Sequence, residues 1–234
     1  MGGEIQDIGE PSAASLIGWW LEAGVDAPVG EVPRDWLRRR TEEPPAAQPG
    51  PAQAERPADL KDFQAWLASG SGLPMDRPGS ARVLPQGAEN APVMLLSDIP
   101  GREEVTEGRP IGGEAWALTV KMLAAIGIAP DEAYNASLSC FDAPGSRIAK
   151  DQLEACASLA RDHVRLAKPQ RLILFGDVPS RAMLGEPLAR ARGRIHKVEG
   201  VRTVATFNPR WLLQRPSDKA LAWRDLLLLM SEND

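Results

Sequence analysis

In the stretch "APVMLLSDIPGREEVTEGRPIGG" (residues 91–113), a carboxylate sits between an apolar run and a tight turn. The run "APVMLL" reads as a buried strand, and Pro100-Gly101 reads as the turn that follows it. Asp98 therefore stands where a strand ends and a loop begins. A carboxylate there either works on a bound ligand or caps the turn by accepting from nearby backbone amides. A second group of functional side chains lies far downstream. "RARGRIHK" (190–197) is a strongly basic turn suited to phosphate contact, and "ATFNPRWLLQRPS" (205–217) places Asn208 before a proline and two more arginines. Two cysteines, Cys140 and Cys156, give no disulfide framework.

The elements that must position these groups follow a strand–helix rhythm. Strands are predicted at 92–96, 134–138, 171–175 and 201–207. Helices are predicted at 60–69, 113–126, 150–167, 178–185 and 217–230. Such alternation implies a parallel sheet with helices on both faces. Ligands in such sheets bind beyond the carboxyl ends of the strands, and Asp98 lies there. Upstream, 1–42 reads as a helical extension with amphipathic candidates at 13–24 and 33–40, and 43–59 as a Pro/Ala-rich linker. That leaves 60–234 as the main domain.

The composition, 43% hydrophobic and 25% charged, is that of a globular protein without a spanning segment. The N-terminus lacks a basic region followed by an apolar core, so no secretion signal is expected. These features lead us to expect a cytoplasmic protein, nucleoid-associated when bound to DNA. The net charge of −5 is unevenly spread: residues 147–219 carry +8 and the remainder −13. A basic C-terminal half is compatible with a polyanionic partner, or with arginines on solvated faces.

Four segments in order resemble the uracil-DNA glycosylase superfamily, and most closely its family 4 type. "SDIPGREEVTEGRPIGGEAWALTVKMLAAIGI" is similar to the family's GEAPG-x-x-E motif, its G-x-PFVG turn and the helix after them. "DEAYNASLSCFDAPGSRI" is similar to YITNVVKCRPPGNR. "RLILFGDVPSRAMLG" matches a late strand, and "RGRIHKVEGVRTVATFNPRWLLQRPSD" matches the RGRWH turn and the HPAYLL motif. The resemblance covers roughly 60–230. It implies a three-layer α/β sandwich around a central four-stranded parallel sheet. The implied chemistry is cleavage of a base–sugar bond after the base has been flipped out of the stack.

The resemblance also assigns positions. Asp98 falls where the family has a water-orienting Glu, beside the Pro100-Gly101 turn expected to lie against the base. Ile111 falls at the stacking Phe, and it offers no π face. Ser137 falls at the uracil-reading Asn, whose paired donor and acceptor one hydroxyl does not reproduce. Asn208 falls at the His that stabilises the leaving base; the mismatch-specific branch has Asn there too, so Asn208 is compatible with catalysis. The segment that enters the minor groove in relatives supplies Arg210 and Arg215 as phosphate contacts and Trp211 or Leu212 as an apolar wedge, with Arg194 upstream. Packing on the last helix is the competing role for Trp211. Family 4 members hold an iron–sulfur cluster on four cysteines. Here the first pair is replaced within "WLASGSGLPM", Phe141 stands at the third position, and Cys156 alone is in register. No cofactor and no metal are therefore expected.

Together these features predict a glycosylase-like protein of base excision repair. It recognises damaged or mismatched DNA by base flipping, with weak or altered hydrolysis. The alternative is a catalytically inactive DNA-binding or scaffold protein on the same fold. DNA is the expected partner and a monomer the expected state. The N-terminal extension is a candidate for contacts with another protein.

Overall fold

The computed structural model describes residues 56–142 and 148–231. The predicted elements at 13–24 and 33–40, the 1–42 extension and nearly all of the 43–59 linker lie outside these residues. The described chain runs α1 (Leu60–Ser69), β1 (Met94–Ser97), α2 (Arg102–Glu107), α3 (Gly113–Ala125), β2 (Tyr134–Ser137) and α4 (Lys150–Ala167). It continues through β3 (Arg171–Phe175), α5 (Asp177–Leu184), α6 (Leu188–Ala191), β4 (His196–Val198), β5 (Val201–Thr206) and α7 (Pro209–Gln214). A 3-10 turn (Pro216–Asp218) then leads into α8 (Lys219–Met230).

The sheet order is β2-β1-β3-β5-β4. The first four strands are parallel, as expected, and the short β4 adds an antiparallel edge to β5. Leu95 pairs with Asn135 on one side and Ile173 on the other. Alternate residues on each strand feed two cores, because side chains alternate across a pleated sheet. Met94, Leu96, Leu172 and Leu174 pack with Phe63 and Leu67 of α1 and with Cys156 and Val164 of α4. Val93, Leu95, Ile173 and Val204 pack with Ala115 and Leu123 of α3 and with Leu226 and Leu229 of α8. The three layers expected from the alternation are thus present. Each fully buried Leu, Ile or Val contributes about 1.5–3 kcal/mol by leaving water.

Local chemistry sets the helix ends. The Asp59 carboxylate accepts from the Asp62 amide (2.9 Å) to start α1, and Asn208 accepts from the Arg210 amide (2.9 Å) to start α7, with Pro209 in its first turn. No helix among the described residues is long and apolar enough to cross a membrane.

Candidate active site

The carboxyl ends of β1, β3 and β5 open into a cavity of about 780 Å³. Asp98 enters it from the end of β1, Gly176 and Asp177 from the end of β3, and Phe207 and Asn208 from the end of β5. Arg192, Arg210 and Trp211 complete much of the rim. Asp98 and Asn208, far apart in sequence, are thereby brought to one mouth.

Asp98 takes up its turn-capping role with one oxygen only. Its Oδ1 accepts from the Ile99 amide (2.7 Å), and no hydrogen bond to Oδ2 is formed among the described residues. Burial pushes its carboxyl above the ordinary 3.8; the Ile99 amide and the charge of Arg210 oppose this, and the charge of Asp177 adds to it. Asp177 goes the other way. Burial alone would raise it, but the Arg181 guanidinium (2.5 Å) and the Leu188 amide (2.9 Å) hold it below its ordinary value. The two carboxyls at the mouth are thus shifted in opposite directions, Asp98 by burial and Asp177 by its Arg181 and Leu188 partners.

Asn208 is oriented by its capping bond. Its Oδ1 is engaged by the Arg210 amide, so Nδ2 is left as the outward donor. Gly176, at φ 101°, keeps this approach clear: a Cβ there would stand 3.4 Å from the Asn208 Cβ in a backbone conformation side chains avoid. Phe207 lies under the Arg192 guanidinium, 4.5 Å from its ring centroid, and Arg192 is anchored by the buried Asp225 (2.8 Å). Asp225 also accepts from the Thr206 hydroxyl (2.8 Å) and the Gly193 amide (3.1 Å).

Glu104 explains the two glycine turns of the 97–113 loop. Its side chain is 1% exposed, accepts from the Gly101 and Gly112 amides (3.0 Å each) and pairs with Arg210. A Cβ on Gly112 would meet the Glu103 and Glu104 backbone at 3.1 Å, a contact tighter than most, so glycine eases this approach. Burial would raise the Glu104 carboxyl, but the Arg210 hydrogen bond, the Gly112 amide and the Arg210 charge outweigh it and hold it below its ordinary 4.5. Sequence reasoning passed over Glu104, although it stands at the last acidic position of the GEAPG-x-x-E pattern.

The other expected positions divide. Pro100 and Gly101 form the turn beside Asp98, with Gly101 starting α2. Ile111 is 4% exposed and packs into the core with Leu95, Ala115 and Leu123. Ser137 is half-buried; its Oγ lies 3.4 Å from the Ser97 Oγ, whose one proton is donated to the Pro110 carbonyl (2.9 Å). Neither Ile111 nor Ser137 lines the mouth. Arg210, expected at a phosphate, is engaged with Glu104 while its side chain stays 39% exposed. Of the two residues the resemblance offers as a wedge, Leu212 is buried and Trp211 is 41% exposed. The Trp211 Nε1 donates to Asp218 (2.8 Å), and the Arg215 guanidinium lies 4.7 Å from a ring centroid of its indole. Trp211 is therefore a propped surface platform and no part of the cores. Arg194 is exposed and bonds Glu186 (2.8 Å) and the Arg190 carbonyl (2.7 Å), away from the mouth.

The residues present do not fit a four-cysteine cluster. The whole sequence has two cysteines. Both are buried, and burial pushes Cys140 up to about 11 and Cys156 to about 12; two thiols supply at most half of such a ligand set. Arg82 lies 4.7 Å above the Phe141 ring and donates to the carbonyls of Leu67 (2.8 Å) and Gly70 (2.6 Å). Phe141, which the resemblance aligns with a ligand cysteine, is thus packed under a guanidinium.

Residues 84–227 match the model of the uracil DNA glycosylase superfamily. The chain is 22% identical over 181 residues to the type-4 uracil-DNA glycosylase of Pyrobaculum aerophilum, covering 73% of this chain and 92% of that protein. It is 24% identical over 141 residues to the type-4 enzyme of Archaeoglobus fulgidus, covering 56% and 71%. It is 22% identical over 142 residues to that of Thermotoga maritima, covering 58% and 74%.

Proposed function

The chain belongs to the uracil-DNA glycosylase superfamily, and on that premise we propose that it is a DNA base-excision glycosylase with altered base selectivity, acting weakly on ordinary uracil. The observation that carries this reading is the shared mouth of Asp98 and Asn208, with Ile111 buried in the core and Ser137 half-buried outside the mouth. Asp98 orients a water on the flipped nucleotide. The water oxygen bonds to C1′ of the deoxyribose as the C1′–N bond breaks, and the bonding pair leaves with the base. The water proton passes to Asp98 and then to the departing base, so the products are a free base and an abasic sugar. The raised proton affinity of Asp98 suits it to accept that proton. The Asn208 Nδ2 donates to an oxygen of the base as negative charge builds there. Without a stacking ring at 111 or an amide at 137, the contacts specific to uracil are missing, which favours a base already weakened or mispaired.

The burial of Ile111 and the position of Ser137 away from the mouth equally favour the second reading, a non-catalytic DNA-binding module. A glycosylase assay of the full chain over a panel of modified and mispaired bases, in single and double strands, separates the two. Excision of at least one non-uracil base, lost in Asp98→Asn, is the expected result. No excision of any base leaves the binding module, and uracil excision at a rate equal to the best substrate overturns the altered selectivity.

A further inference from the structure

A second cleft, of about 700 Å³, lies at the opposite end of the sheet from the Asp98 mouth. It is built around a row of cations. Arg171 of β3 pairs in register with Arg202 of β5, and Arg202 with Lys197 of β4. In-register neighbours project to the same face, so three positive side chains stand side by side over two strand spacings, about 10 Å. Like charges placed directly opposite oppose strand pairing. Arg165 and Lys168 from the end of α4 also line the cleft, against one carboxylate, Glu199.

Protein groups account for part of this charge. Arg202 donates to the carbonyls of Leu228 (3.2 Å) and Ser231 (2.9 Å) at the end of α8, where a cation complements the helix dipole. Lys168 pairs with Glu89 (2.7 Å), Arg165 with Asp162, and Glu199 faces Arg161 (3.9 Å). The side chains of Arg171 and Lys197 have no hydrogen-bond or ion-pair partner among the described residues. Two unneutralised cations flanking a third, in a cleft larger than one phosphate needs, call for a ligand with consecutive anionic groups.

We propose that this cleft binds consecutive phosphate groups through Arg171 and Lys197, as a site separate from the glycosylase mouth. Arg171 starts β3 and Gly176 follows its end, so the two sites lie about 16 Å apart along the strand. A phosphate held in the cleft is not that of the flipped nucleotide. The shared chemistry is the phosphoryl oxygen, which arginine and lysine both bind. Its source is either the backbone of DNA beyond the lesion or a free polyphosphate.

The test uses the full chain, Arg171→Gln/Lys197→Gln, and the single charge reversal Lys197→Glu at an exposed side chain. Without ligand, both variants should melt at or above the wild-type midpoint, because repulsion is removed and no bond is lost. Pyrophosphate, at constant ionic strength, should raise the wild-type midpoint and leave both variants unmoved. A lesion-free duplex titrated across salt concentrations reports the DNA source: if the phosphates are those of DNA, the double variant binds more weakly and its salt slope falls by about 2 units. A pyrophosphate shift lost in the variants with an unchanged DNA slope assigns the site to free polyphosphate. Identical responses of wild type and variants to both probes overturn the proposal. Binding and melting are read without excision, so this result stands apart from the fate of the Asp98 reading.

Discussion

The two sides of the mouth differ in how much of their binding potential remains open. On the side built by the ends of β3 and β5, Asn208 presents a free amide donor, Phe207 carries a stacked guanidinium, and Trp211 stands exposed on its Asp218 and Arg215 props. On the side built by β1 and β2, Ile111 is core and the Ser97 hydroxyl donates to the Pro110 carbonyl, with Ser137 beside it at 3.4 Å. The difference follows from side-chain chemistry. Isoleucine has every reason to leave water, and the Ser97 hydroxyl spends its proton on the Pro110 carbonyl, so that wall offers a ligand little. An amide used as a helix cap keeps half of its hydrogen bonding for a ligand, so the opposite wall stays open.

The largest effects should follow from that contrast. Asp98→Asn is expected to lower excision of the best panel substrate by about 10²-fold or more, measured in single-turnover assays. Its stability should stay level or rise at neutral pH. The proton affinity of Asp98 is raised on folding, so its contribution to stability is fullest at low pH and declines as the pH rises through the ordinary 3.8 to the raised value. Excision should correspondingly set in at higher pH than an ordinary aspartate would give. Ile111→Ala should do the reverse: a loss of about 2–4 kcal/mol in urea unfolding, with affinity for lesion-free DNA unchanged. A stability cost under about 0.5 kcal/mol would return Ile111 to the ligand wall.

Arg210→Ala comes next. It strands the buried Glu104, and we expect about 2–3 kcal/mol of destabilisation, reduced from the full cost of breaking a buried pair because Arg210 is partly in solvent. The Glu104 carboxyl is lowered on folding, so its contribution is present above pH 4.5 and is lost as the pH falls through its depressed folded value. Wild type should lose this contribution on acidification. The variant, lacking most of it at neutral pH, should show a flatter acid limb in pH-dependent melting.

Much of this architecture was legible in the sequence, and the gaps have physical causes. The four parallel strands and the long helices announced themselves by periodicity. The six-residue α2 and α7 are too short for a 3.6-residue period to register, and β4 is three residues of hairpin edge. Asp98 stands out at the end of an apolar run, while Asn208 is singled out by the family resemblance; that both line one mouth is a matter of the fold. The engagement of Arg210 by Glu104 was not legible, since it joins segments distant along the chain. The closure at Ile111 and Ser137 depends on which groups meet across the loop, and no local pattern encodes that. The cation row of the second cleft appears only once strand register is known.

Trp211 offers the smallest and most discriminating effect. Its ring is exposed, and its Nε1–Asp218 bond and Arg215 contact hold it at the rim without placing it in either core. Trp211→Ala should therefore cost less than about 1 kcal/mol of stability, as for an exposed side chain outside the core. Its contribution to DNA should be larger, because an aromatic face that stacks on or parts the bases is worth about 1–3 kcal/mol. That stabilisation acts on unstacked bases and releases no counterions, so the salt dependence of binding should keep its slope. Asp218→Ala removes the prop and leaves the ring, so it should lower affinity by a smaller factor in the same direction. Fluorescence anisotropy on duplexes with and without a mispair reads both variants. If Trp211→Ala weakened the mispaired and perfect duplexes equally, with a flatter salt slope, the ring would be serving only to hold Arg215 against a phosphate.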